Sequence, residues 1–306
     1  GMTVTESTYS GVGLLTSGAT PYQYENVPAA MVSQGLIHKN AYSLFLNDAD
    51  ADSGSILFGA VDHSKYSGQL YTLPILKMYK LRSQSVALGF DVTVQGVGLT
   101  NGTDSVTVTT TQFPALLDSG TTLMYLPVLL SDLIAQEIGA SYSSRLGYYI
   151  LDCPSDDDPT QIVFDFGGFE IKTNLTNYIL SPSSRSTVCY LGIVPITSVY
   201  GIFGDAFLVD AYVVYDLENL EISMAQANFK GGSEDIDVIT SDVPSATPAP
   251  GYSSTWSTAA SITSGGNIFT LSSAANSGSG TLSRGTQTAS TAGSSRASAL
   301  LQASTS

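Results

Sequence analysis

The sequence has 306 residues, of which 43% are hydrophobic and 12% are charged, so its bulk has the composition of one large or two ordinary globular domains. Lys and Arg total 11 against 26 Asp and Glu, and the formal net charge at pH 7 is −15. This acidity argues against nucleic acid or an anionic membrane surface as a partner, and it suits an acidic compartment or basic peptide substrates.

The first segment, 1–38, contains neither the basic and apolar pattern of a signal peptide nor a transmembrane run. We therefore expect the chain to be an internal or processed piece of something longer. Apolar residues recur near helical spacing from Val27 to Ile37, and Gly35 offers a stop, which predicts a helix here.

Short apolar and β-branched segments then follow one another and predict strands. Asp52, Ser53 and Gly54 lie in a polar run between two of these segments and predict a solvated hairpin turn. The predicted strands of this part of the chain are 42–46, 56–58, 71–75, 86–97 and 106–111.

The stretch 115–127, with the sequence ALLDSGTTLMYLP, combines an apolar run with a single carboxylate. The run predicts a buried strand that ends at Asp118. A carboxylate in that position is costly unless hydrogen-bond donors surround it. Gly120 allows the backbone to turn back towards the carboxylate. The Thr121 hydroxyl can donate to one of its oxygens, and backbone N–H groups can serve the other.

An amphipathic helix is predicted over 128–138, because its apolar residues recur on one face between Pro127 and Gly139. Further predicted strands are 148–151, 162–166 and 189–193, and an extended segment begins at Ile171.

A second motif, YGIFGDAFL, occupies 200–208, and strand-like segments follow it at 211–216 and 221–225. Gly204 would allow a neighbouring strand to cross tightly against the Asp118 loop. Asp205 is predicted to be the N-cap of a helical turn. An ordinary buried β-hairpin is the alternative interpretation.

Two apolar residues followed by Asp118, Ser, Gly and Thr resemble the catalytic loop in the second lobe of the pepsin-like aspartic endopeptidases. The motif at 200–208 resembles what this family shows after that loop, and the segment 54–62 resembles the opening hairpin of its second lobe. The resemblance covers most of residues 11–230. It implies an all-β fold of mixed, mostly antiparallel sheets with a few short helices.

The resemblance implies that Asp118 is one of two catalytic carboxylates that share a proton and a water molecule. Ser119 resembles the residue whose hydroxyl ties the two catalytic loops together. The resemblance also implies that Gly120 and Thr121 support the loop. It implies that Thr122 and Ile202 line the substrate groove, and that Phe203 and Gly204 lie against the loop.

A second apolar run ending in Asp-Thr/Ser-Gly is missing from these 306 residues, and so is a recognisable flap hairpin. The family's first lobe carries both. We therefore expect 1–38 to be the end of an N-terminal lobe and 39–230 to be the C-terminal lobe, which should not hydrolyse peptides alone. The expected partners are a peptide or protein substrate and the missing N-terminal lobe. Two alternatives stay open: a non-catalytic cell-surface or wall binding protein on this scaffold, and a homodimer with one Asp per chain.

Cys153 and Cys189 are the two cysteines, and in an extracellular enzyme the simplest prediction is a disulfide, with two buried thiols as the alternative. Asn101 and Asn174 begin glycosylation sequons. The histidines, His38 and His63, have no ligand-like spacing, so neither a metal nor any other cofactor is expected.

The composition changes from about Ser241: of the 66 residues from there to the end, 28 are Ser or Thr. So little apolar surface predicts disorder, and we assign 231–306 to a disordered stalk that we expect to be O-glycosylated. A stalk after such a body resembles the fungal yapsin-like cell-surface aspartic proteases. That resemblance implies a secreted or cell-surface protein, possible attachment through a glycan or lipid anchor, and a parent protein that bears the anchor signal.

Overall fold

The structure is a computed structural model, and it describes residues 25–48, 51, 53–81, 84–183, 186–252 and 255–269. These residues form mixed, mostly antiparallel sheets with short helices, so the predicted all-β class is confirmed. No helix within the described ranges is long and apolar enough to cross a membrane. The α-helices are α1 (Val27–Ser33), α2 (Val128–Glu137) and α3 (Asp205–Leu208).

A six-stranded sheet joins the beginning and the end of the described chain. Its order is β2-β1-β20-β21-β4-β23, and all neighbours are antiparallel except β4 and β23. The strands are β1 (Ala41–Phe45), β2 (Ser55–Phe58), β4 (Tyr66–Pro74), β20 (Ala211–Asp216), β21 (Glu221–Ala227) and β23 (Ala246–Pro248).

A five-stranded sheet contains the strand that leads to Asp118. Its order is β18-β11-β19-β10-β7, and β10 runs parallel to β19 and antiparallel to β7. The strands are β7 (Asp91–Val94), β10 (Phe113–Leu117), β11 (Met124–Pro127), β18 (Ile193–Ile196) and β19 (Gly201–Phe203).

Two four-stranded sheets and two strand pairs complete the fold, in the orders β12-β13-β17-β16, β15-β14-β8-β9, β22-β3 and β5-β6. The strands are β3 (Ala60–Asp62), β5 (Tyr79–Leu81), β6 (Gln84–Val86), β8 (Gly96–Thr100), β9 (Ser105–Thr109), β12 (Ser141–Ser143), β13 (Tyr148–Asp152), β14 (Gln161–Asp165), β15 (Glu170–Asn174), β16 (Ile179–Leu180), β17 (Val188–Leu191) and β22 (Ile236–Val238).

The helices begin and end where local chemistry favours it. Asn26 caps α1, because its Oδ1 accepts a hydrogen bond from the Ala29 N–H at 2.9 Å. Gly35 and Gly139 follow α1 and α2 with φ of +72° and +73°, a conformation that glycine adopts without a Cβ penalty. Both predicted helices are therefore present.

The predicted segment 86–97 divides among three strands. It contains the last residue of β6, all of β7 and the start of β8, and β7 and β8 are buried along their whole length. Strands covered on both faces lose the polar alternation that marks a half-exposed strand.

A disulfide joins Cys153 and Cys189, as the cysteine pair predicted. It links the end of β13 to β17, which are antiparallel neighbours. The covalent bond therefore reinforces a contact that the sheet already makes.

Part of the segment 231–306, which the sequence analysis assigned to a stalk, packs on the body. Ile239 and Val243 lie in a second hydrophobic cluster with Phe45 and Tyr212, and Ile268 is 1% exposed. The average composition of the segment did not predict this packing, because only a few widely spaced apolar side chains are buried against the body. Residues 270–306 lie outside the described residues.

Candidate active site

Parallel pairing of β10 and β19 brings the two sequence motifs together. Leu117 lies opposite Phe203, and both strands end at the same edge of the sheet. The Asp118 N–H donates to the Phe203 carbonyl oxygen at 3.0 Å. The loop after β10 is therefore held against the segment after β19.

Two donors from its own loop engage the Asp118 carboxylate. The Gly120 N–H donates to Oδ1 at 3.0 Å, and the Thr121 hydroxyl donates to Oδ2 at 2.7 Å. These are the kinds of donor that the sequence predicted around Asp118. Asp118 is half-buried and Ser119 and Gly120 are exposed, so the carboxylate is fixed within a loop that is partly accessible.

Gly204 approaches the loop more closely than any other residue type could. A Cβ at this position would lie 2.2 Å from the Thr121 carbonyl oxygen and 2.4 Å from that of Leu123. This proximity lets the Asp205 N–H donate to the Thr121 oxygen at 2.8 Å and the Ala206 N–H to the Thr122 oxygen at 3.1 Å.

The predicted N-cap role of Asp205 is wrong. Gly204 occupies the N-cap position of α3, and Asp205 is the first helical residue. The carbonyl oxygens of the Asp118 loop satisfy the first N–H groups of α3, so no side-chain cap is needed. Burial raises the pKa of Asp205, and the nearby charge of Asp118 raises it further.

The residues expected to line a groove lie around this loop at different depths. Thr122 is exposed, Ile202 is half-buried, and Phe203 and Gly204 are buried. Thr122 and Ile202 are therefore accessible beside Asp118, whereas Phe203 forms part of the core beneath it.

Asp91 is a buried carboxyl that the sequence analysis did not single out. It lies on β7 opposite Leu116 of β10. It is 1% exposed, and no described group donates a hydrogen bond to its Oδ2. Burial raises its pKa to about 6. The signal in the sequence was an acidic residue between the apolar residues Phe90 and Val92.

The remaining predicted sites lie away from Asp118. Asn101 follows β8 in a turn, and its Oδ1 accepts from the Thr103 and Asp104 N–H groups at 3.0 and 2.7 Å. Asn174 ends β15 and is half-buried. Within the described residues, no group of three or more His, Cys, Asp or Glu side chains is placed to hold a metal ion. Asp52 lies outside the described residues.

Comparison with known proteins supports the family resemblance. The family model described as eukaryotic aspartyl protease matches residues 4–227. In Saccharomyces cerevisiae, aspartic proteinase 3 is 56% identical over 89% of this chain and 48% of its own length. Aspartic proteinase MKC7 is 52% identical over 89% of this chain and 46% of its own length. Aspartic proteinase yapsin-3 is 51% identical over 88% of this chain and 53% of its own length.

The chain spans about half the length of these curated relatives. Because 89% of 306 residues is about 272 residues, the matches to aspartic proteinases 3 and MKC7 extend past residue 269 wherever they begin. The family model, in contrast, ends at residue 227. The two relatives therefore share the segment after the family-matched body.

Proposed function

This chain belongs to the eukaryotic aspartyl protease family, and from this membership we propose that it supplies Asp118 as one carboxylate of the catalytic pair of an aspartic endopeptidase. The observation that carries the proposal is the Asp118 carboxylate itself. Gly120 and Thr121 hold its two oxygens, and Asp118 is half-buried.

The chemistry needs two carboxylates in different protonation states. One removes a proton from a water molecule as the water oxygen attacks the peptide carbonyl carbon. The other, protonated, donates a hydrogen bond to the carbonyl oxygen. The carbon–nitrogen bond then breaks, and the leaving amine takes the proton that the first carboxylate removed from the water. Two adjacent carboxylates cannot both remain ionised, which favours activity at acid pH. The second carboxylate comes from a polypeptide segment outside this sequence, and this chain alone is inactive.

The substrate is a peptide or protein that lies across Asp118 and contacts Thr122 and Ile202. Two relatives from Candida albicans carry the name secreted aspartic protease 9. Together with the disulfide and the sequons at Asn101 and Asn174, this name supports a secreted or cell-surface location for the present chain.

The test compares two variants of the chain joined with, or expressed beside, the segment that provides the second carboxylate. Asp118→Asn removes a group that exchanges protons in the reaction, and it should lower peptide cleavage at acid pH by about 100-fold or more. Asp52→Asn is the matched control, because Asp52 begins the same Asp-Ser-Gly sequence in a predicted turn. This variant should keep full activity.

Each remaining outcome of this experiment is decisive. Full activity of Asp118→Asn would show that Asp118 is not catalytic. Cleavage by this chain alone, with a dimer on size-exclusion chromatography, would show that both carboxylates come from two copies of it. A complete assembly that binds peptides at acid pH without cleaving them would favour a binding protein.

A further inference from the structure

Residues 236–252 and 255–269, which we call the strap, follow the family-matched body and run across its surface. Its first strand, β22, pairs with β3 through Ile236 opposite Asp62. Ile239 and Val243 then enter the second hydrophobic cluster of the body. The strap therefore begins with backbone pairing and side-chain burial together.

The strap next completes an edge of the six-stranded sheet. Strand β23 pairs in parallel with β4, with Ala246 opposite Leu70. The Ala249 N–H donates to the Thr72 carbonyl oxygen at 3.1 Å. An unpaired edge strand is a template for association with other chains, and β23 covers this one.

Two glycines of the body make room where the strap leaves that sheet. Gly167 and Gly168 have φ of +90° and +96°. A Cβ on Gly167 would lie 2.8 Å from the Tyr252 Cα, and one on Gly168 would lie 2.7 Å from the Gly251 nitrogen. The Gly251 N–H donates to the Gly167 carbonyl oxygen at 2.9 Å. The body and the strap are thus in backbone contact at this crossing.

The middle of the strap reaches the five-stranded sheet that contains Asp118. The Trp256 N–H donates to the Thr93 Oγ1 at 2.9 Å. Thr93 lies on β7, opposite Pro114 of β10. The strap therefore contacts the strand next to the one that ends at Asp118.

The far end of the strap docks on the sheet formed by β8 and β9. The Thr109 hydroxyl donates to the Thr263 carbonyl oxygen at 2.6 Å, and the Ile268 N–H donates to the Thr107 hydroxyl at 3.1 Å. A Cβ on Gly96 or Gly98 would lie 2.6 or 2.8 Å from the Ile268 side chain. The glycines leave a slot that Ile268 fills, since Ile268 is 1% exposed.

We propose that residues 236–252 and 255–269, the strap, act as one structural unit, which holds the six-stranded sheet, β7 of the five-stranded sheet and the β8–β9 sheet in fixed relative positions. Its attachments lie on these three sheets and on β3, and at two places on the β15-β14-β8-β9 sheet the body carries glycines where any side chain would collide with the strap. The two relatives whose matches extend past residue 269 share this segment. The inference concerns folding of the lobe and does not depend on the proposed catalytic role.

Trp256 offers a direct test, because it is the one tryptophan of the sequence. Ile268→Asp places a charge in the glycine slot, whereas Ser264→Asp adds the same charge at an exposed strap position. Acrylamide quenching of Trp256 fluorescence and amide hydrogen exchange would be measured for wild type and both variants. Ile268→Ala provides a milder perturbation if the Asp variant does not fold.

If the strap is one cooperative unit, a substitution that weakens the packing of Ile268 should also weaken the contacts of Trp256 and of residues 246–249. In Ile268→Asp or Ile268→Ala, Trp256 should become more accessible to acrylamide, and amide exchange should accelerate about tenfold or more at both 263–268 and 246–249. Ser264→Asp should match wild type. Faster exchange confined to 263–268 would overturn the proposal of a single unit. Wild-type exchange at 246–249 as fast as in an unstructured peptide would overturn docking itself.

Discussion

Gly204 lies against the Asp118 loop so closely that a Cβ at its position would come within 2.2 Å of the Thr121 carbonyl oxygen. The same oxygen accepts the Asp205 N–H at 2.8 Å. One glycine therefore connects the end of β19, the start of α3 and the loop that holds the carboxylate.

Gly204→Ala should destabilise the lobe, because the obstructing atoms are backbone oxygens that cannot rotate away. We expect a loss of about 3 kcal/mol or more in the free energy of unfolding, measured by urea denaturation. Gly232→Ala is the control, since its Cβ would lie 3.4 Å from the Ser64 Cβ, an ordinary contact. Equal stability of the two variants would contradict the close approach at Gly204.

The Thr121 hydroxyl should contribute more to the rate of catalysis than the Thr121 methyl group does. Thr121→Val removes the donor to Asp118 Oδ2 and keeps the shape, whereas Thr121→Ser keeps the donor. In the complete peptidase, we expect Thr121→Val to lower kcat by about tenfold, equivalent to about 1.4 kcal/mol. The kcat of Thr121→Ser should stay near that of wild type. If both variants lost the same activity, the hydroxyl bond would not be what supports the carboxylate.

Stability of the lobe should fall as pH rises, because of its buried carboxyls. Burial raises the pKa of Asp91 to about 6 and that of Asp210 to about 6, above the ordinary value of 3.8. The folded state therefore binds these protons more tightly than the unfolded state. Their stabilisation is complete below about pH 4 and is lost progressively towards pH 6.

Asp91→Asn tests the contribution of a single buried carboxyl, because an amide of the same shape does not titrate. Relative to wild type, the variant should gain up to about 3 kcal/mol at pH 7 and change little at pH 4. Thermal unfolding at both pH values would measure this difference. Asp157→Asn, at an exposed position, should behave like wild type throughout. A gain for Asp91→Asn that is the same at both pH values would rule out titration as the cause.

Removal of the Cys153–Cys189 bond should destabilise the lobe without changing its fold. The bond joins residues 36 positions apart, and loss of the loop constraint on the unfolded chain corresponds to about 4 kcal/mol in the entropic description. The double Ala variant should unfold at lower urea concentration and retain its far-ultraviolet circular dichroism. Unchanged stability would mean that β13 and β17 are fully held by their own pairing.

Local patterns in the sequence were sufficient for the strand that ends at Asp118. An apolar run followed by Asp, Ser, Gly and Thr predicts both a buried strand and a loop with nearby donors, since these features depend on residues adjacent in the chain. The helix 128–138 was predictable for the same reason, from apolar periodicity between Pro127 and Gly139. The structure contains that helix as α2. In the structure, Gly120 and Thr121 donate hydrogen bonds to the Asp118 carboxylate.

Other features were decided only by distant contacts. Asp205 looked like an N-cap, but the carbonyl oxygens of Thr121 and Thr122 already satisfy the start of α3. The sequence did not single out Asp91, which is buried where β7 packs beside Leu116.

What the sequence determined by itself is the all-β class, the family and the carboxylate-bearing loop, because each is encoded in contiguous residues. Only the tertiary structure decided that residues 236–252 and 255–269 pack on the body. Ile239, Val243 and Ile268 are too sparse to predict a core, and they become buried because the body provides apolar surfaces and glycine slots. Composition measures how much apolar surface a segment has, whereas folding depends on whether a complementary surface exists elsewhere in the chain.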